Sequence, residues 1–258
     1  MDVDVRGPAG RGPGELPLTP RGPLALVLGN GRLGRALVAT GLAFVVLSHA
    51  LLVGLHLLPD LGGVDPVREL ISDYALGPTG WVFSLALCAG ALGSAALVLV
   101  LSSLAVLHDR ATRAAMAVWC VGLVGVAVVP PGRLTVGVLA DVTVAAHFWL
   151  AATTCVSLPV AGVAVGWRHR RHDHWRRFAL PTLGLCLADA LCLLPIAVTV
   201  TAHHLLGGTW SLASAFGLLE RLAVMLDTVV LVVLGLWAWH STGPGRDGQP
   251  DGLPAGQP

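Results

Sequence analysis

The chain has 258 residues, of which 55% are hydrophobic and only 12% charged. Soluble domains average about 25% charged residues, so composition excludes an ordinary water-soluble globule. The 16 basic residues, all arginine, are nearly balanced by 15 acidic ones, and this near-neutral charge gives a nucleic-acid partner no electrostatic support.

In chain order, residues 1–31 are rich in Gly, Pro and Arg with little periodicity, which predicts a disordered cytoplasmic tail. No compact apolar core follows the first basic residues, as a secretory signal would require. Six apolar runs then fall near 33–58, 80–107, 114–130, 139–166, 178–200 and 215–239. Spanning a ~30 Å hydrocarbon core takes about 20 residues, so each run is a candidate transmembrane helix. The expected fold is all-α: a polytopic six-span bundle over residues 32–240, with a second disordered cytoplasmic tail at 241–258.

Arginine placement sets the expected orientation. The N-terminal tail and the start of the first span hold Arg6, Arg11, Arg21, Arg32 and Arg35, and the second connection holds Arg110 and Arg113. The fourth connection holds Arg168, Arg170, Arg171, Arg176 and Arg177, and the C-terminal tail holds Arg246. On the other side stand only Arg68 and Arg133, with Arg221 inside the last span. The positive-inside rule places both termini in the cytoplasm of a multi-pass plasma (inner) membrane protein.

The first connection, Val64 to Phe83, carries a dense set of ionisable residues between two apolar runs. Asp65 suits an N-cap and Pro66 the first helical position. Val67, Leu70, Ile71 and Tyr74 follow helical spacing, and Gly77-Pro78 is a stop signal. A short extracytoplasmic helix over 66–76 is expected, with Tyr74 the most buried of the four apolar residues. On its other face Glu69 and Asp73 stand four apart and repel by a few tenths of a kcal/mol. The candidate partners of Arg221 are the backbone around Glu220, Glu69, Asp73 and Asp141; Asp73 is favoured, because that pairing would also relieve the repulsion.

Asp65-Pro66, Ile71-Ser72-Asp73-Tyr74, Gly77, Gly80-Trp81 and Phe83 resemble the first extracytoplasmic loop of a prokaryotic membrane family known as domain of unknown function 998. The resemblance runs from about Leu33 to Trp239 and also touches His147 and the Glu220-Arg221 pair. It implies a polytopic helical protein and no particular reaction. One departure is Pro131-Gly132, where the family often has an acidic residue after the proline ending the third span.

Ionisable residues inside spans are costly and usually face the bundle interior. Here they are His49, Asp141, His147, Asp189, Glu220, Arg221 and Asp227. Counting a 1.5 Å rise per residue puts Asp189 and Asp227 near the midplane and the others in the outer half. The candidate outer polar cluster is therefore His49, Glu69, Asp73, Tyr74, Asp141, His147, Glu220 and Arg221. The midplane pair could share a proton between helices five and six.

Other features read more plainly. The segment RHRRHDHWRR is taken as a solvated basic loop against anionic headgroups, and Trp81, Trp167, Trp175, Trp237 and Trp239 as an interfacial belt. The five cysteines form no C-x-x-C pair and read as buried small hydrophobes. No sequence motif calls for a metal or another cofactor. Membrane lipids are the expected partners, with a homodimer or a second membrane protein as further options. Three functions compete: a non-catalytic lipid-interacting, sensory or assembly component; a membrane enzyme acting on a lipid-linked headgroup; and a small proton-coupled permease.

Overall fold

The computed structural model describes residues 31–57, 64–129, 131, 138–206 and 215–242, with side chains for all but 138–141 and 200–206. Of the expected tails, residues 1–30 and 243–258 lie outside the described residues, as does the side chain of Asp141. Among the described residues, six helices are long and apolar enough to cross a membrane. They are α1 (Arg32–Leu57), α2 (Gly80–Ser103), α3 (Arg110–Val128), α4 (Val138–His169), α5 (Arg176–Leu206) and α6 (Phe216–Ser241). A 3-10 helix, Ile71–Leu76, lies between α1 and α2. The shortest span, α3, has 19 residues, and 1.5 Å per residue still carries it across most of the hydrocarbon layer.

Each helix packs on its sequence neighbour, and α6 returns to pack on α1, so the chain closes into a ring. α6 also touches α2 and α4, which makes it the helix nearest the centre. Large apolar side chains remain exposed on every helix, among them Val46, Leu92, Val121, Val156, Leu191 and Val229. In water such a surface would drive association. In a bilayer it is the lipid-facing wall of a multi-pass membrane protein.

Small residues set the helix spacing. Ala86, Gly90 and Ser94 are all buried along α2, and Ser94 Oγ accepts the indole N–H of Trp119 on α3 at 3.0 Å. A Cβ added at Gly93 would lie 2.6 Å from the carbonyl oxygen of Gly41, so α1 and α2 cross backbone to backbone. This is the close approach that replaces hydrophobic collapse as the association force in lipid.

α2 ends in a Schellman turn. Val106 N–H bonds Leu101 O at 3.0 Å and Ala105 N–H bonds Ser102 O at 3.2 Å. Ala105 takes the left-handed position, φ 56°, where glycine is the usual residue. Asp109 then caps α3 by accepting Thr112 N–H at 2.7 Å and the Thr112 hydroxyl at 2.6 Å.

The six-span reading and the element positions hold, but two expectations at the ends change. Trp237 does not sit in an interfacial belt: it is 0% exposed, stacked on Phe178 at 5.9 Å and met edge-on by His169 at 5.2 Å. His169 is itself buried, its Nδ1 on Val165 O at 3.0 Å, because α4 runs on through it and removes it from the solvated basic loop. Trp81 and Trp167 are exposed, as interfacial residues should be.

The α-helix expected over 66–76 is replaced by a single turn from Asp65 to Glu69, an extended Leu70 and the 3-10 helix. The reason lies on α6. An α-helix would bond Ile71 N–H to Val67 O. Instead Leu218 N–H takes Val67 O at 3.1 Å, and Glu220 Oε2 accepts Ile71 N–H at 2.6 Å. Both halves of that helical bond are thus replaced by groups from the first turn of α6.

Candidate functional site

The polar residues gather at the end of the bundle where α1 meets α2, here termed the loop end. Asp65 Oδ1 accepts the N–H groups of Val67 at 2.9 Å and Arg68 at 3.3 Å, which fixes the first turn. Glu69 Oε2 reaches back to Asp65 N–H at 2.7 Å. Asp73 Oδ2 accepts Leu70 N–H at 3.0 Å and starts the 3-10 helix. Glu69 and Asp73 therefore each stabilise their own turn, and the break at Leu70 takes them off a common helix face.

Tyr74 is 3% exposed and Ile71 is also buried, while Val67 and Leu70 are 45% and 38% exposed. Tyr74 is thus the most buried of the four, as expected. Its ring and Ile71 join an apolar cluster with Leu52, Leu55, Phe83, Ala86 and Val126 that seats the loop on α1, α2 and α3.

Arg221 is not paired with Asp73, contrary to expectation. Its Nη1 donates to Glu69 O at 2.7 Å and to Gly217 O at 2.9 Å, and its Nε donates to His56 Nε2. The Asp73 carboxylate faces Leu70 N–H instead, satisfying the amide of the residue that caps the 3-10 helix. His56 Nδ1 lies 2.7 Å from Leu52 O, so that nitrogen carries the proton and Nε2 is free to accept from arginine. The imidazole also meets the Tyr74 ring at 5.2 Å between centroids. His56 went unremarked in the sequence, although it stands seven residues after His49 and so on the same face of α1.

The loop backbone runs directly over Gly217. A Cβ there would lie 2.3 Å from Glu69 O and 3.0 Å from Glu69 N, so no side chain fits. Sequence reading missed this position too; the only signal was a glycine in the first turn of an apolar span.

The other expected members stand apart. His49 Nδ1 meets the Thr228 hydroxyl at 3.1 Å, and that hydroxyl reaches Val224 O at 2.9 Å. His147 Nδ1 bonds Val129 O at 2.6 Å, serving a carbonyl at the α3 terminus, while its buried Nε2 has no partner among the described residues. The structure therefore brings together Tyr74, Glu220, Arg221 and the Glu69 carbonyl with His56, keeps Asp73 beside them on the adjacent amide of Leu70, and sets His49 and His147 apart. Among the described residues no three His, Cys, Asp or Glu side chains converge as metal ligands.

A second polar site lies within the bundle. Asp189 on α5 and Asp227 on α6 come close enough for their carboxyls to interact. They are 1% and 5% exposed. Among the described residues, both oxygens of Asp189 and Oδ1 of Asp227 find no hydrogen-bond donor.

The family model described as Protein of unknown function (DUF998) matches residues 38–237. The chain belongs to that family. The match takes in all six spans and the clamped loop, which confirms the resemblance read from the loop motif. No curated protein and no solved structure matches the chain at a significant level.

Proposed function

We propose that this multi-pass membrane protein is a non-catalytic component of the lipid-interacting, sensory or assembly kind, with its loop end on the extracytoplasmic side of the plasma membrane. The observation that carries the reading is the use made of Glu220 and Arg221. Both charged groups are bonded to loop backbone, at Ile71 N–H and Glu69 O, rather than turned toward an open reaction site. They hold the loop as a fixed surface. Val67, Arg68, Leu70 and Trp81 are exposed there, and aliphatic, arginine and indole groups together suit the membrane–water boundary. Arginine asymmetry supports the orientation.

Thermal unfolding of purified protein tests the reading. A clamp predicts that Glu220→Ala and Arg221→Ala each lower the melting temperature. Residues held for catalysis are often strained, and replacing them tends to leave stability unchanged or raise it. That second result, together with a lost activity, would turn the assignment to the enzyme.

A proton-coupled permease is the second reading, favoured by the unpartnered carboxyls of Asp189 and Asp227. With six spans it would work as a dimer.

A further inference from the structure

We propose that Asp189 and Asp227 form a proton-binding site between α5 and α6, holding one proton between the two carboxyls. Ionised carboxylates only accept hydrogen bonds. Two of them buried side by side leave acceptors without a donor, and among the described residues no donor reaches either oxygen of Asp189 or Oδ1 of Asp227. A proton taken from water by one carboxyl forms an O–H bond, and that hydroxyl donates to the other carboxylate. No bond of the chain is broken, and the pair falls from two negative charges to one. Burying an unpaired ion is costly, so removal of one charge is the dominant gain.

The surroundings favour a proton over a metal cation. Cys155 of α4 and Cys186 and Cys192 of α5 are the ionisable neighbours that sense the pair. Glu220, on α6 with Asp227, is bonded to Ile71 N–H. His49, on α1, is turned to Thr228, and α2 carries Cys88 alone among titratable side chains. None of these supplies a fixed positive charge at the carboxyls. A hard cation takes about six oxygen ligands, whereas two carboxyls offer at most four and the neighbours are thiols. Buried carboxyls of this kind in spans are the usual elements of proton relays.

Infrared spectroscopy of the purified full chain in lipid nanodiscs tests the proposal, since a protonated carboxyl has a C=O stretch that a carboxylate lacks. At neutral pH the wild-type protein should show this band, and heavy-carbon aspartate labelling should shift it, which separates it from Glu220 without any substitution. Asp189→Asn and Asp227→Asn should each abolish it, because the amide donates to the remaining carboxylate in place of the shared proton. Exchanging choline chloride for sodium chloride should leave it unchanged. Absence of an aspartate-derived band at neutral pH would overturn the proposal, as would its persistence in either variant. Loss of the band in sodium would assign the site to a metal cation instead.

Discussion

Glu220 Oε2 accepts the backbone N–H of Ile71 at 2.6 Å, across 149 residues of sequence. This bond fixes the loop conformation, because it withdraws the amide that would continue an α-helix from Asp65. The two possible replacements of Glu220 should therefore differ. Glu220→Gln keeps a carbonyl oxygen and loses charge assistance, at a cost of about 1 kcal/mol. Glu220→Ala leaves the amide unpaired and should cost about 2–3 kcal/mol. Thermal or denaturant unfolding of the detergent-solubilised protein resolves the order, and equal effects would show that the acceptor is not what matters.

Gly217 gives a steric test of the same contact. Gly217→Ala puts a methyl group 2.3 Å from Glu69 O, well inside contact distance. The loop must lift, and overpacking of this kind costs about 1–3 kcal/mol. A cysteine placed at residue 70, after removal of the native cysteines, should then react faster with a water-soluble maleimide than in the Gly217 background.

At the other end of α2, Ala105 sits in the left-handed region at φ 56°. A side chain there costs about 1–2 kcal/mol that glycine avoids. Ala105→Gly should raise the melting temperature without altering the loop, and a decrease would show that the Ala105 side chain stabilises the turn by packing.

The sequence made much of this architecture legible. Hydropathy and length located the spans because a bilayer imposes one requirement on every crossing helix. Tyr74 was recognisable as the buried residue of the loop from its large ring. Spacing within 66–76 points to an α-helix only because the competing donors, Leu218 and Arg221, and the competing acceptor, Glu220, belong to the last span, where local spacing cannot register them. Arg221 was assigned a carboxylate where it binds backbone carbonyls and His56, since charge matching in a sequence sees only side chains. Trp237 lay near a span end, but depth along a helix does not reveal which face turns inward. Equal depth on adjacent helices is the sequence signal that sets Asp189 beside Asp227, and both side chains are buried.

Asp109 supplies a pH prediction outside the spans. Its hydrogen bonds from the Thr112 hydroxyl and N–H hold its carboxyl below the ordinary aspartate range. A carboxyl with a depressed folded-state value stabilises fully above the unfolded value, about 3.9, and loses that contribution as pH falls through the folded one. Asp109→Ala should cost about 0.5–2 kcal/mol at neutral pH. The difference from wild type should shrink as the medium is acidified through that window, and a difference independent of pH would contradict the cap.

The clamp of α6 on the loop is tested most directly by hydrogen exchange across residues 67–76, followed by mass spectrometry in nanodiscs. In the wild-type protein the Ile71 amide should be strongly protected despite the absence of a helical acceptor, and Glu220→Ala should release it while α2 and α3 remain protected. An Ile71 amide that exchanges as fast as an unstructured peptide in the wild type, or that stays equally protected in Glu220→Ala, would contradict the account.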